Sequence, residues 1–192
     1  MTWLTGRGTV VALAVGIATV GGFGWRGFVL LLAFFVSGSL LTTAAKGGAG
    51  RNARQVIANG GIAAVAALAG SWAWFAGALA AATADTWATE IGGHARALPR
   101  LITTRARVPA GTDGGMTLLG TAGGVAGAGF IAALSSLLGQ RGALIIASAG
   151  IAGMLVDSLL GATVQGKVRW MDNDAVNLAA TLAGAVCARL LA

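Results

Sequence analysis

The sequence predicts an all-α fold, a polytopic transmembrane helical bundle forming one domain over residues 1–192. Three observations carry that prediction. Hydrophobic residues make up 56% of the chain and charged residues only 10%, against roughly 25% charged in a soluble protein. Mean hydropathy is +0.81. Apolar runs near the length needed to cross a bilayer, about 20 residues, follow one another along the whole chain. This composition excludes a disordered chain and argues against an ordinary soluble domain. The single Cys excludes an intramolecular disulfide framework and a Cys-based zinc cluster.

About seven spans are expected. The first two, roughly Thr9–Gly24 and Gly27–Ala45, meet at a tight hairpin around Trp25-Arg26. Arg7 precedes the first, as in a signal peptide, but no small-residue cleavage site follows, so it is read as a helix. The third, Val56–Gly70, is short and is separated from the fourth, Trp72–Thr89, by Ser71 alone. Met116–Leu138 and Ala143–Val164 flank a tip at Gln140-Arg141-Gly142, and Ala175–Leu191 closes the chain. Gly120, Gly123, Gly124 and Gly127 give the fifth span a small-residue face, which suits close packing inside the bundle or a homodimer contact. Trp3, Trp25, Trp72 and Trp170 lie near span ends and suit interfacial belts.

The longer connections, Lys46–Gln55, Gly92–Gly115 and Gln165–Asp174, are polar. They divide the charges unevenly. One face carries Arg7, Lys46, Arg51, Arg54, Arg96, Arg100, Arg105, Arg107, Lys167 and Arg169; the other carries Arg26, Arg141 and Arg189. Ten bases against three, of 13 in all, is a positive-inside bias that puts the N-terminus and the long loops in the cytoplasm. The acids gather at the same end: Asp113, Asp172 and Asp174 in loops, Glu90 at a span end, and Asp85 and Asp157 within spans. The net charge of +7 is therefore read as basic loops facing anionic lipid or a phosphorylated ligand, not nucleic acid.

Acids inside a span are costly and rarely face lipid. Asp85, with Thr86 and Thr89 beside it, and Asp157, with Ser158, offer hard oxygen ligands of the kind Mg²⁺ takes. Asp85 and Glu90 stand about 140° apart around an ideal helix; they reach one ion only if the helix loosens at Glu90, which Gly92-Gly93 permit. An interhelical hydrogen-bonded pair is the plain alternative for Asp85 and Asp157. Ser158 and Gln165 share a helix face. The first loop, Lys46-Gly47-Gly48-Ala49-Gly50-Arg51-Asn52-Ala53-Arg54, combines exposed backbone N–H groups with arginine forks suited to phosphate. It is not a P-loop, because no Gly-Lys-Ser/Thr follows the glycines. Asn59 and Asn177 are amides inside spans and need partners. In the second loop both prolines shape a stiff extended segment, where Arg105 and the turn Gly111-Thr112-Asp113-Gly114-Gly115 could hold a nucleotide or phosphate. Asp172 or Asn173 could cap the last helix. His94 and Cys187 carry no specific role.

Five segments together resemble the DUF92 family of integral membrane proteins. They are Arg-Asn-Ala-Arg-Gln-Val-Ile-Ala-Asn-Gly-Gly (51–61), Ala-Asp-Thr-Trp-Ala-Thr-Glu-Ile-Gly (84–92), Val-Pro-Ala-Gly-Thr-Asp-Gly-Gly (108–115), Asp-Ser-Leu-Leu-Gly-Ala-Thr-Val-Gln (157–165) and Asp-Asn-Asp-Ala-Val-Asn-Leu (172–178). The resemblance covers about residues 46–178. It implies similarity to CTP-dependent prenol and dolichol kinases and to phytyl-phosphate kinases: transfer of a phosphoryl group from CTP to an isoprenyl monophosphate, giving the diphosphate.

With that activity, Asp85, Glu90 and Asp157 are expected to hold Mg²⁺ bridging nucleotide phosphates. Arg51, Arg54, Lys46 and Arg105 would neutralise phosphates. Asn59, Thr86, Thr112, Asp113, Ser158, Gln165, Asn173 and Asn177 would bind or orient ligands. The tail would lie between spans, each buried CH₂ adding roughly 0.8 kcal/mol to affinity. A cytidylyltransferase acting on a lipid phosphate, and a carrier for an anionic lipid or metabolite, are the rival functions.

Overall fold

A computed structural model of the chain describes residues 3–46 and 50–192, with the side chains of 44–46 left out. Among the described residues it is all-helical apart from two short strands. The helices are α1 (Gly6–Lys46), α2 (Ala53–Leu68), α3 (Trp72–Gly92), α4 (Leu118–Leu137), α5 (Ala143–Thr163) and α6 (Asn173–Leu191). Strands β1 (Arg100–Leu101) and β2 (Gly115–Met116) pair antiparallel, Arg100 opposite Met116.

The hairpin expected near residue 25 is present within α1. Gly24 takes φ 59° and ψ −147°, outside helical values, a conformation open essentially to glycine alone. A straight helix would hold Trp3 and Phe35 about 48 Å apart at 1.5 Å per residue. Their ring centroids are instead 5.9 Å apart, so the two arms of α1 fold back on each other.

Four helices, α1, α4, α5 and α6, are long and apolar enough to cross a membrane. The 16-residue α2 is shorter. The 21-residue α3 is long enough but carries Asp85 and Glu90. It is the centre of the bundle: every residue from Phe75 to Ala84 is buried, and α1, α2, α4, α5 and α6 all pack against it.

Small residues make that crowding feasible, since without a bulky side chain two backbones approach closely. A Cβ added to Gly184 of α6 would stand 2.6 Å from the Ala81 Cβ and 2.7 Å from the Gly77 carbonyl oxygen. The fifth-span glycines turn the same way. Gly120, Gly123, Gly124 and Gly127 face the carbonyls of Ala88, Trp87, Ala84 and Thr83 on α3. The stripe that suited a dimer is thus occupied inside the chain.

The two ends of the bundle differ. At one end Trp72 packs edge-on against Phe23, 5.0 Å between centroids, and donates through Nε1 to Ser135 Oγ at 2.8 Å. The other end collects the described parts of the long polar connections. The segment between the prolines is not the extended run expected. The Val108 N–H donates to the Pro99 carbonyl at 3.0 Å and the Arg105 N–H to Leu101 at 2.8 Å. The chain therefore doubles back at 102–105, with Arg105 itself at φ 59°.

Candidate active site

The second loop reaches the bundle through glycines. A Cβ on Gly114 (φ 72°) would stand 2.5 Å from the Ser158 carbonyl and from Ala162 Cβ, and one on Gly161 2.9 Å from the Gly114 nitrogen. Two bare backbones meet there, which lays the 110–115 turn against Ser158, Gly161 and Ala162 of α5. Asp113 is thereby close enough for its charge to act on Asp157.

Asp157 and Asp85 come from different helices, and their carboxyl groups are close enough to interact directly. Asp157 Oδ2 is buried with no hydrogen-bond partner. Two carboxylates in contact repel each other unless a proton or a cation lies between them. A buried, unpartnered carboxylate oxygen beside a second carboxylate is the donor set a hard divalent cation takes.

Glu90 stands near enough for its charge to act on Asp85, but it does not complete a three-carboxylate cluster. The helix stays regular through Gly92 and does not loosen as convergence on one ion requires. Among the described residues no three His, Cys, Asp or Glu side chains stand close enough to share a metal ion. Glu90 is buried, accepts from Thr42 Oγ1 at 3.1 Å, and interacts electrostatically with Arg51.

Arg51 is the most constrained base. The Arg51 N–H donates to the Trp3 carbonyl at 2.9 Å, and its own carbonyl accepts from the Thr5 N–H at 3.1 Å. Its guanidinium lies 5.6 Å from the Phe34 ring centre and 5.8 Å from that of Phe35. It then passes Gly38, where a Cβ would stand 2.8 Å from Nη2. Burial lowers the pKa of Arg51 from the ordinary arginine value, and the charge of Glu90 raises it back in part; arginine stays charged regardless.

These groups wall a cavity of about 500 Å³ at the loop-bearing end. Arg51, Asn59, Asp85, Thr86, Glu90 and Thr112 line it, as do Asp113, Asp157, Ser158, Gln165, Asn173 and Asn177. Residues expected from five distant segments therefore share one wall. Three are placed elsewhere or not described. Arg54 faces outward, its Nη2 donating to Asp172 at 2.5 Å and its Nε 3.4 Å from Asp174. Exposed ion pairs of this kind contribute little, but this one ties the start of α2 to that of α6. Arg105 is exposed on the 102–105 turn, its carbonyl accepting from Arg100 Nη1 at 3.0 Å. Lys46 ends α1 with its side chain outside the described residues, and Gly47–Ala49 lie outside them too.

Some lining residues carry no sequence signal that marks them for a site. Thr42, Gln55, Thr117 and Thr121 also face the cavity. Gln55 closes a capping box with Asn52, the Asn52 N–H donating to Gln55 Oε1 at 2.9 Å. That pattern, Asn-x-x-Gln, is legible in sequence, but its facing a cavity is not. Asn59 finds the partner its burial requires by donating from Nδ2 to the Gln55 carbonyl at 3.0 Å. Asp172, not Asn173, caps α6, accepting from the Ala175 N–H at 3.0 Å. That bond and Arg54 hold its carboxyl below the usual range.

A match to the family described as integral membrane protein DUF92 covers residues 1–185, beyond the five segments into both arms of α1. The chain belongs to the DUF92 family of integral membrane proteins. It is 35% identical to an uncharacterized membrane protein of Methanocaldococcus jannaschii, over 98% of this chain and 85% of that protein. It is 30% identical to the chloroplastic protein VTE6 of Arabidopsis thaliana, over 100% of this chain but only 66% of VTE6. An uncharacterized membrane protein of Synechocystis is also 30% identical, over 96% of this chain and 81% of its own length. No solved structure matches.

Proposed function

We propose that this DUF92 protein is a CTP-dependent kinase that converts an isoprenyl monophosphate, such as phytyl or geranylgeranyl phosphate, to the diphosphate. The chain would cross the membrane seven times, counting both arms of α1, with the cavity on the cytoplasmic side as the uneven distribution of bases favours. The observation that carries the reading is the Asp85–Asp157 pair. Its unpartnered buried oxygen lies in a cavity that also holds Arg51 and a glycine-rich turn.

In the reaction an oxygen of the acceptor monophosphate attacks the γ-phosphorus of CTP. The bond from that phosphorus to the β–γ bridging oxygen breaks, and CDP leaves with the electron pair. The acceptor is already anionic, so no strong base is required and catalysis reduces to positioning and charge neutralisation. Asp85 and Asp157 would hold Mg²⁺, which when bound supplies charge neutralisation on the nucleotide phosphates. A pair of protein carboxylates is the usual complement for this ion, with phosphates and waters filling the rest. Arg51 would grip the acceptor phosphate, and Glu90 and Thr42 would hold the inner wall in place. The N–H groups and hydroxyls of the 110–115 turn, with Asn173 and Asn177, would orient the nucleotide.

Purified protein given CTP, Mg²⁺ and geranylgeranyl phosphate should release CDP and form geranylgeranyl diphosphate. Release of pyrophosphate with a CMP-lipid product would make it a cytidylyltransferase instead. Absence of any nucleotide turnover across a panel of prenyl phosphates would sink the kinase reading.

A further inference from the structure

Beside the polar cavity lies a second space of a different kind. A groove of about 130 Å³ runs between the two arms of α1 and α2. Val15 and Gly16 of the first arm and Leu31, Phe34 and Phe35 of the second form its apolar wall. Among the described residues its polar lining is Arg51, Gln55 and Asn59, and these same three residues line the large cavity. One wall therefore serves an apolar groove on one side and the larger polar cavity on the other. The Arg51 guanidinium stands at the junction, over Phe34 and Phe35.

We propose that this groove is the tail site of the acceptor, holding the head-proximal part of a prenyl monophosphate whose phosphate is received by Arg51. This rests on the kinase reading for the identity of the ligand, but not for the location of its tail. Burying apolar surface next to a fixed cation favours an amphiphile with an anionic end, and away from Arg51, Gln55 and Asn59 the groove offers apolar walls that favour an apolar tail.

The volume sets how much of the tail is read. The groove has room for on the order of ten water-sized groups, about two isoprene units. Phe28 and Leu32, both on its rim, are exposed at 43% and 44%, so the remainder of a longer chain leaves sideways into lipid. Selectivity should therefore rise steeply from one isoprene unit to two and flatten beyond. The geometry also supplies a clean obstruction. Gly16 lines the groove and a Cβ there meets nothing within 4 Å, which makes it the position at which to add bulk.

The experiment uses the full chain in detergent with a geranyl phosphate bearing a diazirine on its tail. Photolabelled peptides are mapped, and labelling is competed with dimethylallyl, geranyl and geranylgeranyl phosphates and with phosphatidic acid. Labels are expected on 12–16 and 28–35. Geranyl phosphate should compete at least about tenfold better than dimethylallyl phosphate, with geranylgeranyl phosphate within about threefold of geranyl. Phosphatidic acid should compete poorly, and Gly16→Phe should cut labelling at least about tenfold. Labels on the lipid-facing sides of α4–α6, or equal competition by phosphatidic acid, overturn the proposal even if Gly16→Phe fails to fold. CTP turnover is measured on the same preparation. Turnover with labels elsewhere removes the groove alone; groove labels without turnover remove the kinase reading alone.

Discussion

Gly38→Ala separates positioning from stability at the site. Gly38 lies in the second arm of α1, where alanine is the better helix former by about 1 kcal/mol. The added methyl would stand 2.8 Å from Arg51 Nη2 and 3.3 Å from Thr86 Cγ2. Ordinary carbon contacts begin near 3.4 Å, so the guanidinium must retreat by about 0.6 Å or more. It is the free end of a flexible side chain and can do so cheaply, whereas its backbone is clamped by Trp3 and Thr5. A displacement of about 1 Å in a positioning group costs on the order of 10²-fold in rate, about 2.7 kcal/mol of barrier. The expected result is a fall of roughly that size in kcat/KM for the prenyl phosphate, with thermal stability in detergent unchanged or raised. Adding Gly38→Ala to Arg51→Ala should cost nothing further, because both remove the same contact. Wild-type turnover in Gly38→Ala, or additive losses in the double variant, would refute the role given to Arg51.

Other outcomes follow from the same geometry. Asp85→Asn and Asp157→Asn should each lower CTP turnover by about 10²-fold or more; full turnover in both variants would remove the metal assignment. Gly184→Ala forces a methyl to within 2.6 Å of Ala81 Cβ, and the overpacking should cost about 1–3 kcal/mol, read as an earlier melt with no change in KM. The Asp172 carboxyl is held below its usual range by its cap on Ala175 and by Arg54. Its stabilisation is thus complete above the ordinary carboxylate pKa and lost as pH falls through the lowered one, so wild type and Asp172→Ala should melt apart at neutral pH and converge in acid. In a background with Cys187→Ala, a membrane-impermeant maleimide should reach Thr103→Cys and Gln140→Cys from opposite sides of the membrane. Labelling of both from one side would refute the proposed crossing.

The limits of sequence reading are clearest at the first loop. Arg51 and Arg54 are three residues apart, equally basic and equally plausible for phosphate. In the structure one is clamped and aimed into the cavity, while the other pairs outward with Asp172 and Asp174. The difference is their place relative to the cap at Asn52. Arg51 precedes the helix and is bridged to the N-terminal segment; Arg54 lies on the outer side of the first turn. Glu90 is a similar case. Its type and its Gly-Gly neighbours allow a loosened helix, but tertiary packing of Gly92 against Gly120 keeps the last turn of α3 regular. Gly38, Gln55 and Thr42 are ordinary residues for a membrane helix, and only the neighbours that packing brings to them make them part of the site.

By itself the sequence determined the helical segments, their order and the gathering of acids and bases at one end. Hydrophobic run length and the cost of burying charge act locally, residue by residue, and can be read from the chain without knowing its partners. Five separated segments of polar and glycine residues also marked the family. Only the tertiary structure decided which of those residues share a cavity, that Asp85 faces Asp157 while Glu90 takes Thr42 as a partner within reach of Arg51, and that an apolar groove adjoins the polar site at Arg51. These depend on how helices pack across a bundle, where a glycine's bare backbone sets the approach of two elements far apart in sequence.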